Sequence, residues 1–200
     1  MRDKLKVVVV GAGGNGSWLL HHIYNLIQKG QIPDAVTFTV FDGDEVEKKN
    51  TLYQDYDTKD VLENKAKIMA SRYDVQAKPR YVKDAKDLTG YDVIICCVDN
   101  ADFRRLLFVY ADAHPDVYWI DIRAEGTGVV IYTKNKKNTI AAMLSTLPRG
   151  DVKATSCQRE YELSNGIVQL GNQIAAIITA QYFLNYVRGE ENPPVFNQIF

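Results

Sequence analysis

The sequence predicts an α/β protein: a Rossmann-like doubly wound, mostly parallel sheet with helices on both faces and an antiparallel C-terminal extension. Three observations carry that expectation. Val7-Val8-Val9-Val10 runs through Gly11-Ala12-Gly13-Gly14-Asn15-Gly16 into an amphipathic stretch ending near Lys29, the strand, tight turn and helix of a phosphate-binding unit. Apolar strands at Val36–Phe41 and Asp92–Val98 then alternate with helical stretches, the order that builds a parallel sheet. Beyond Val117, short apolar runs separated by Gly126-Thr127-Gly128 and by Lys134–Asn138 have hairpin spacing.

With 200 residues, 46% of them hydrophobic, the chain can bury a full core, and residues 1–200 are read as one nucleotide-binding domain. The 24 Lys+Arg nearly balance the 25 Asp+Glu, so neither a nucleic acid nor an acidic membrane surface is the expected partner. Cys96, Cys97 and Cys157 form no C-x-x-C pair, so no zinc site is expected and a reducing compartment fits. No apolar stretch approaches the ~20 residues that span a bilayer, and the expected location is cytoplasmic.

Taken in order, Gly11 permits the chain reversal, Gly13 lets backbone approach a ligand, and Gly16 lets the helix pack closely on the strand; the open N–H groups at the helix start face an anion. Strand Val36–Phe41 ends in Asp42-Gly43-Asp44. An acid at that position is the expected ribose ligand, Asp42, favoured by its distance from the glycine turn over the alternative that Asp42 and Asp44 are solvated or capping groups. Glu45 to Lys59 is polar and holds Asn50, Tyr53 and Gln54; a helix is expected from about Lys59 to Tyr73. Lys65 lies on it, and a helix lysine is ordinarily a solvated group.

Strands are expected around Pro79–Val82 and over Asp92–Val98. The latter is apolar on both faces and runs into Asp99, which is placed to hold Mg²⁺ on phosphates or to cap the helix Ala101–Ala113. Cys96 and Cys97 read as packing residues. Strands are expected at Val117–Ile122 and Val129–Tyr132, with Thr139–Leu144 as hairpin partner. Pro148–Cys157 has no regular pattern and reads as a mobile loop, whose Cys157 near Lys153 and Arg159 is either a nucleophile or an inert thiol. A long helix spans Asn165–Val187 and stops at Gly189, and Val195–Phe200 alternates as a strand. A chain ending in mid-strand on Phe200 leaves a longer natural protein open. His21, His22 and His114 lack metal-site spacing and read as structural.

These motifs in sequence resemble the ThiF/MoeB/HesA family, relatives of the ubiquitin-activating enzymes. The resemblance rests on Gly11-Ala12-Gly13-Gly14-Asn15-Gly16, Asp42-Gly43-Asp44-Glu45-Val46 with Asn50 and Gln54 in register, Lys65, and Cys97-Val98-Asp99-Asn100 with Arg104. It implies MgATP-dependent adenylylation of the C-terminal carboxylate of a ubiquitin-like or sulfur-carrier protein. It further implies that Gly11, Gly13, Gly14 and Gly16 cradle phosphates, that Asp42 and Asp44 lie at the ribose, and that Asn50, Gln54 and Lys65 lie at the nucleotide. Asp99 is implied to bind Mg²⁺, Cys157 to be a candidate thioester former, and the protein to be a homodimer. The chain departs from the family pattern at Tyr53, where the family has an arginine; Arg104, Arg105 and a partner subunit are the candidates for a substitute cation. The zinc-binding C-x-x-C pairs and an N-terminal arm ahead of the glycine strand are also missing, which resembles the minimal branch containing the ThiF-like proteins of PRTRC systems. Two other readings stand beside the adenylyltransferase: a catalytically impaired ATP- or partner-binding module of the same fold, and an NAD-dependent oxidoreductase.

Overall fold

In a computed structural model, residues 4–148 and 160–200 are described. Seven strands form one sheet: β1 (Leu5–Val10), β2 (Val36–Phe41), β3 (Gln76–Lys78), β4 (Val93–Cys96), β5 (Tyr118–Glu125), β6 (Gly128–Thr133) and β7 (Val195–Ile199), in the order β3-β2-β1-β4-β5-β6-β7. The first five run parallel, and β6 is antiparallel to both β5 and β7. The chain leaves β1 for one side of the sheet and returns to its other side at β4. That reversal of winding opens a crevice beyond the carboxyl ends of β1 and β4, the usual place for a ligand in such sheets.

The central strands are apolar on both faces because helices cover both. Val7, Val9, Ile95 and Ile120 face helices α1 (Gly14–Gln28), α2 (Lys65–Tyr73) and α6 (Gly171–Arg188), where Leu19, Leu20, Met69 and Phe183 bury their side chains. Val8, Ile94, Cys96 and Trp119 face α3 (Ala101–Ala113) and α4 (Ile140–Ser145) through Leu107, Phe108 and Met143. Both α1 and α6 carry small residues where they meet neighbours: a Cβ on Gly16 would stand 1.9 Å from the Gly11 carbonyl oxygen, and one on Gly171 2.1 Å from that of Gly126.

The structure departs from the sequence expectation most at four places. The helix expected from Lys59 is a short 3-10 turn at Thr58–Asp60 followed, after Leu62 at φ 75°, by α2. The break arises because Leu62 and Glu63 bond to Val46 across the chain, and Asn64 then caps α2 by accepting from Lys67 N at 3.1 Å. The edge strand is Gln76–Lys78 rather than Pro79–Val82, since Pro79 has no N–H for the ladder. Thr139–Leu144 is no hairpin partner: Thr139 Oγ1 accepts from Ala142 N at 3.3 Å, opening α4, and β7 pairs with β6 instead. The long helix starts at Gly171, not Asn165; Glu160–Ser164 forms a separate short helix, α5, ended by Gly166 at φ 71°. Gly189 does close α6, in the left-handed conformation. No helix of the described residues is long and apolar enough to cross a membrane.

Candidate nucleotide site

The glycine turn is held from both sides at Ala12. Its N–H donates to Asp42 Oδ2 at 2.7 Å, and its carbonyl accepts from the Tyr56 hydroxyl at 2.7 Å. Asp42 Oδ1 accepts from Asp44 N at 2.8 Å. Both carboxylate oxygens of Asp42 therefore fix backbone, and burial pushes its pKa above the ordinary value although the Ala12 and Asp44 N–H groups and Lys65 oppose the shift. Burial, with Asp42 adding to it, also drives the Tyr56 phenol far above its usual range, so this hydroxyl remains a donor.

Gly11 has φ 95°, and a Cβ there would meet Val98 at 2.7 Å; a Cβ on Gly13 would meet nothing within 4 Å. Gly13 thus faces open space at the start of α1, whose first turn has no side-chain cap. The unsatisfied N–H groups of a helix start make this an anion position.

Two pockets and a third cavity meet beside this turn. One, about 290 Å³, is lined by Gly13 and Gly14 of the turn and by Asp44, Asn50, Gln54 and Lys65. Lys65 is 7% exposed, and its Nζ lies 3.8 Å from Asp44 Oδ2. The solvated helix lysine expected from spacing alone is in fact buried at the first position of α2. Asn64 delivers it, donating from Nδ2 to the carbonyls of Asp42 and Asp44 at 3.2 and 3.1 Å. Asn50 Oδ1 accepts from Glu47 N at 2.9 Å, shaping the 3-10 turn Lys48–Leu52. Among the described residues Gln54 Oε1 is buried without a hydrogen-bond partner, a polar atom of this wall that a bound ligand could satisfy.

The second pocket, about 200 Å³, is flanked by Phe41, Tyr81, Val82 and Phe103 and shares Gly11, Asp42, Asp44, Val98 and Asp99 with the first. The Tyr81 hydroxyl donates to Asp44, and this bond foremost, with burial, raises the phenol pKa to about 12.

The cavity, about 470 Å³, extends from Val98 and Asp99 past Asn15, Arg104, Arg123 and Thr127 to β7. Asp99 is exposed and is the carboxylate common to all three spaces. It does not cap α3; Asn100 does, its Oδ1 accepting from Asp102 N and Phe103 N at 2.8 and 3.1 Å.

Arg104 and Arg105, the candidates to replace the family arginine, are each paired within the fold, and Arg104 lines the third cavity beside Asp99. Arg104 donates from Nε to the fully buried Asp121 at 2.9 Å, and Arg105 donates to Asp102 and to the Pro148 carbonyl. Neither lines the pocket that holds Tyr53. Cys96 and Cys97 are buried, and burial, with Asp121 adding to it, raises the Cys96 thiol pKa. Cys157, with Lys153 and Arg159, lies outside the described residues. Among the described residues no group of three His, Cys, Asp or Glu side chains is arranged to hold a metal, and His21 and His114 bond to Tyr73 Oη and the Tyr110 carbonyl. Glu47 and Lys49 line the same pocket, and Tyr56 and Asn64 brace it. Motif spacing singled out none of the four; the bonds of Tyr56 to Ala12 and of Asn64 to Asp42 and Asp44 span 44, 22 and 20 residues.

The ThiF family model matches residues 2–200. Among solved structures the chain is similar to PaaA (18% identity, TM-score 0.69, covering 99% of this chain and 61% of that one). It is also similar to E. coli tRNA N6-threonylcarbamoyladenosine dehydratase, TcdA (19%, 0.66, 92% and 86%), and to E. coli MccB with ATP (16%, 0.65, 98% and 64%). The chain thus spans less than two thirds of the PaaA and MccB chains. At these identities the likeness establishes the fold. No curated protein matches the chain.

Proposed function

Because the chain belongs to the ThiF family, we propose that it binds MgATP in this crevice and transfers the adenylyl group to a carboxylate, the C-terminal one of a ubiquitin-like or sulfur-carrier protein. The observation that carries the proposal is the position of Asp99, the carboxylate common to the aromatic pocket, the glycine-turn pocket and the third cavity. A nucleotide and a second reactant occupying those spaces would meet beside it.

In this reading the base lies among Phe41, Tyr81 and Phe103, the ribose beside Asp42 and Asp44, and the phosphates between the α1 start and Lys65, with Asn50 and Gln54 on the wall. The acceptor enters by the third cavity. Its carboxylate oxygen forms a bond to the α-phosphorus as the bond to the bridging oxygen breaks and pyrophosphate leaves. The protein's share is alignment and neutralisation of charge on the phosphates, which Lys65 and the glycine N–H groups supply.

Magnesium, when bound, neutralises phosphate charge and favours pyrophosphate departure. One exposed carboxylate suits it, since Mg²⁺ on nucleotides is commonly held by one or two carboxylates together with phosphate oxygens; Asp99 would hold it. ATP in a solved MccB structure, and MccA in others, support a nucleotide and a peptide partner. Cys157 as an acyl acceptor and a homodimer remain part of the proposal by family resemblance alone.

Tyr53 on the pocket wall favours a second reading, a nucleotide-binding module without transfer. Thermal unfolding of the full chain with ATP or NAD⁺, each with and without Mg²⁺, tests the binding step. A magnesium-dependent rise with ATP alone supports MgATP binding. A rise with NAD⁺ alone overturns it for the oxidoreductase reading. Pyrophosphate-dependent ATP exchange, stimulated by a ubiquitin-like protein, then separates the enzyme from the inactive module.

A further inference from the structure

The glycine-turn pocket has four acids, Asp42, Asp44, Glu47 and Asp99, against two lysines, Lys49 and Lys65. A polyanion entering such a wall needs every cation it can recruit. Lys65 is buried and its position is fixed by the start of α2. Lys49 is different: it stands on the 3-10 turn Lys48–Leu52 with 59% of its side chain exposed, and its Nζ pairs with Glu47 at 2.9 Å. An exposed lysine–glutamate pair is weak, and the long flexible lysine stem can redirect its charge.

The two pockets also have an order. They share Asp42, Asp44 and Asp99, whereas Glu47, Lys49 and Tyr53 line only the pocket remote from Phe41, Tyr81 and Phe103. A nucleotide with its base among those aromatics and its first phosphate at the glycine turn extends its terminal phosphates towards Lys49. We propose that Lys49 is the cation that distinguishes a nucleoside triphosphate from a monophosphate, and that Glu47 holds it in reserve. On binding, Lys49 exchanges the Glu47 carboxylate for a phosphate oxygen. The inference rests on the nucleotide reading of the site.

The test is equilibrium titration of the full chain with AMP, ADP and ATP in the presence of Mg²⁺. Lys49→Met should weaken ATP binding about tenfold, the loss expected of one hydrogen bond to a charged group, and leave AMP binding unchanged. Lys49→Arg should retain the preference for ATP, and Glu47→Gln should tighten ATP binding. Equal ATP affinity in wild type and Lys49→Met overturns the inference and leaves the nucleotide reading standing; so does an equal loss for AMP and ATP. A wild-type chain that binds none of the three nucleotides overturns both.

Discussion

Two charged clusters share pockets with Asp99, and they are built in opposite ways. Around Asp121, which is fully buried, the protein closes its own circuit: Arg104 and Arg123 donate to its two oxygens at 2.9 and 2.8 Å, Arg104 also donates to the Ile122 carbonyl, and Arg123 donates to Thr146 and lies over the Tyr132 ring. The Asp121 field raises the Arg104 pKa despite the opposing effect of burial, so the guanidinium stays charged. Around Asp44 the circuit is only partly closed. The Tyr81 hydroxyl donates to one of its oxygens, but Lys65 stands 3.8 Å from the other, beyond hydrogen-bond length, Asp44 is half exposed, and among the described residues Gln54 Oε1 on the same pocket wall has no partner. A cluster whose charges are matched internally serves the fold, and one that leaves them loosely matched beside a helix start is prepared for a ligand.

The contrast breaks first at Arg104. Arg104→Leu leaves a buried carboxylate with a single guanidinium and should cost about 3–5 kcal/mol in urea unfolding. A loss near zero would mean that Arg123 alone neutralises Asp121 and that the two clusters are not opposites. Lys65→Met, its counterpart, should leave stability nearly unchanged because an apolar chain of similar shape fills the same space; it should weaken MgATP binding by about 2 kcal/mol, as for a lost bond to a charged group. Were stability lost instead, Lys65 would belong with Arg104 as a fold residue.

The turn between the clusters is sharpened by Tyr56→Phe. It strips the donor from the buried Ala12 carbonyl and should cost about 1–2 kcal/mol of stability, with nucleotide affinity falling alongside as the glycine turn loosens. The smallest effect is at His22, away from both clusters, where burial first and His21 second lower the pKa while Asp55 opposes the shift. A histidine whose folded pKa is depressed contributes stability above its unfolded value, ~6.5, that is lost as pH falls. Between pH 7 and 5 the unfolding free energy of wild type should therefore drop more than that of His22→Gln; parallel curves would show that His22 takes up its proton as readily folded as unfolded.

How much of this was legible in the sequence follows from how local each feature is. The glycine turn, the acids ending β2 and the strand end at Asp99 were readable because a turn, a strand and a helix follow one another within a few residues. Asn64 and Tyr56 were not, since the first acts by bonding carbonyls 22 and 20 residues earlier and the second reaches Ala12 across 44. Lys65 looked solvated by helical spacing; its burial depends on the chain crossing from Val46 to Glu63. Thr139–Leu144 was misread because six residues with a good cap suit a helix as well as a hairpin strand, and only β7 arriving from the far end of the chain decides between them. The third cavity, formed by β5, β6 and β7 with Asn15 and Asp99, has no contiguous motif at all.

The central claim is that Asp99 is where nucleotide, metal and acceptor meet, and magnesium dependence of ATP binding tests it most directly. In calorimetric titrations at matched ionic strength, wild type should bind ATP more tightly with Mg²⁺ than without, and Asp99→Ala should unfold at the same temperature as wild type yet bind ATP equally with and without the metal. An Asp99→Ala chain that keeps the full magnesium enhancement would contradict the account.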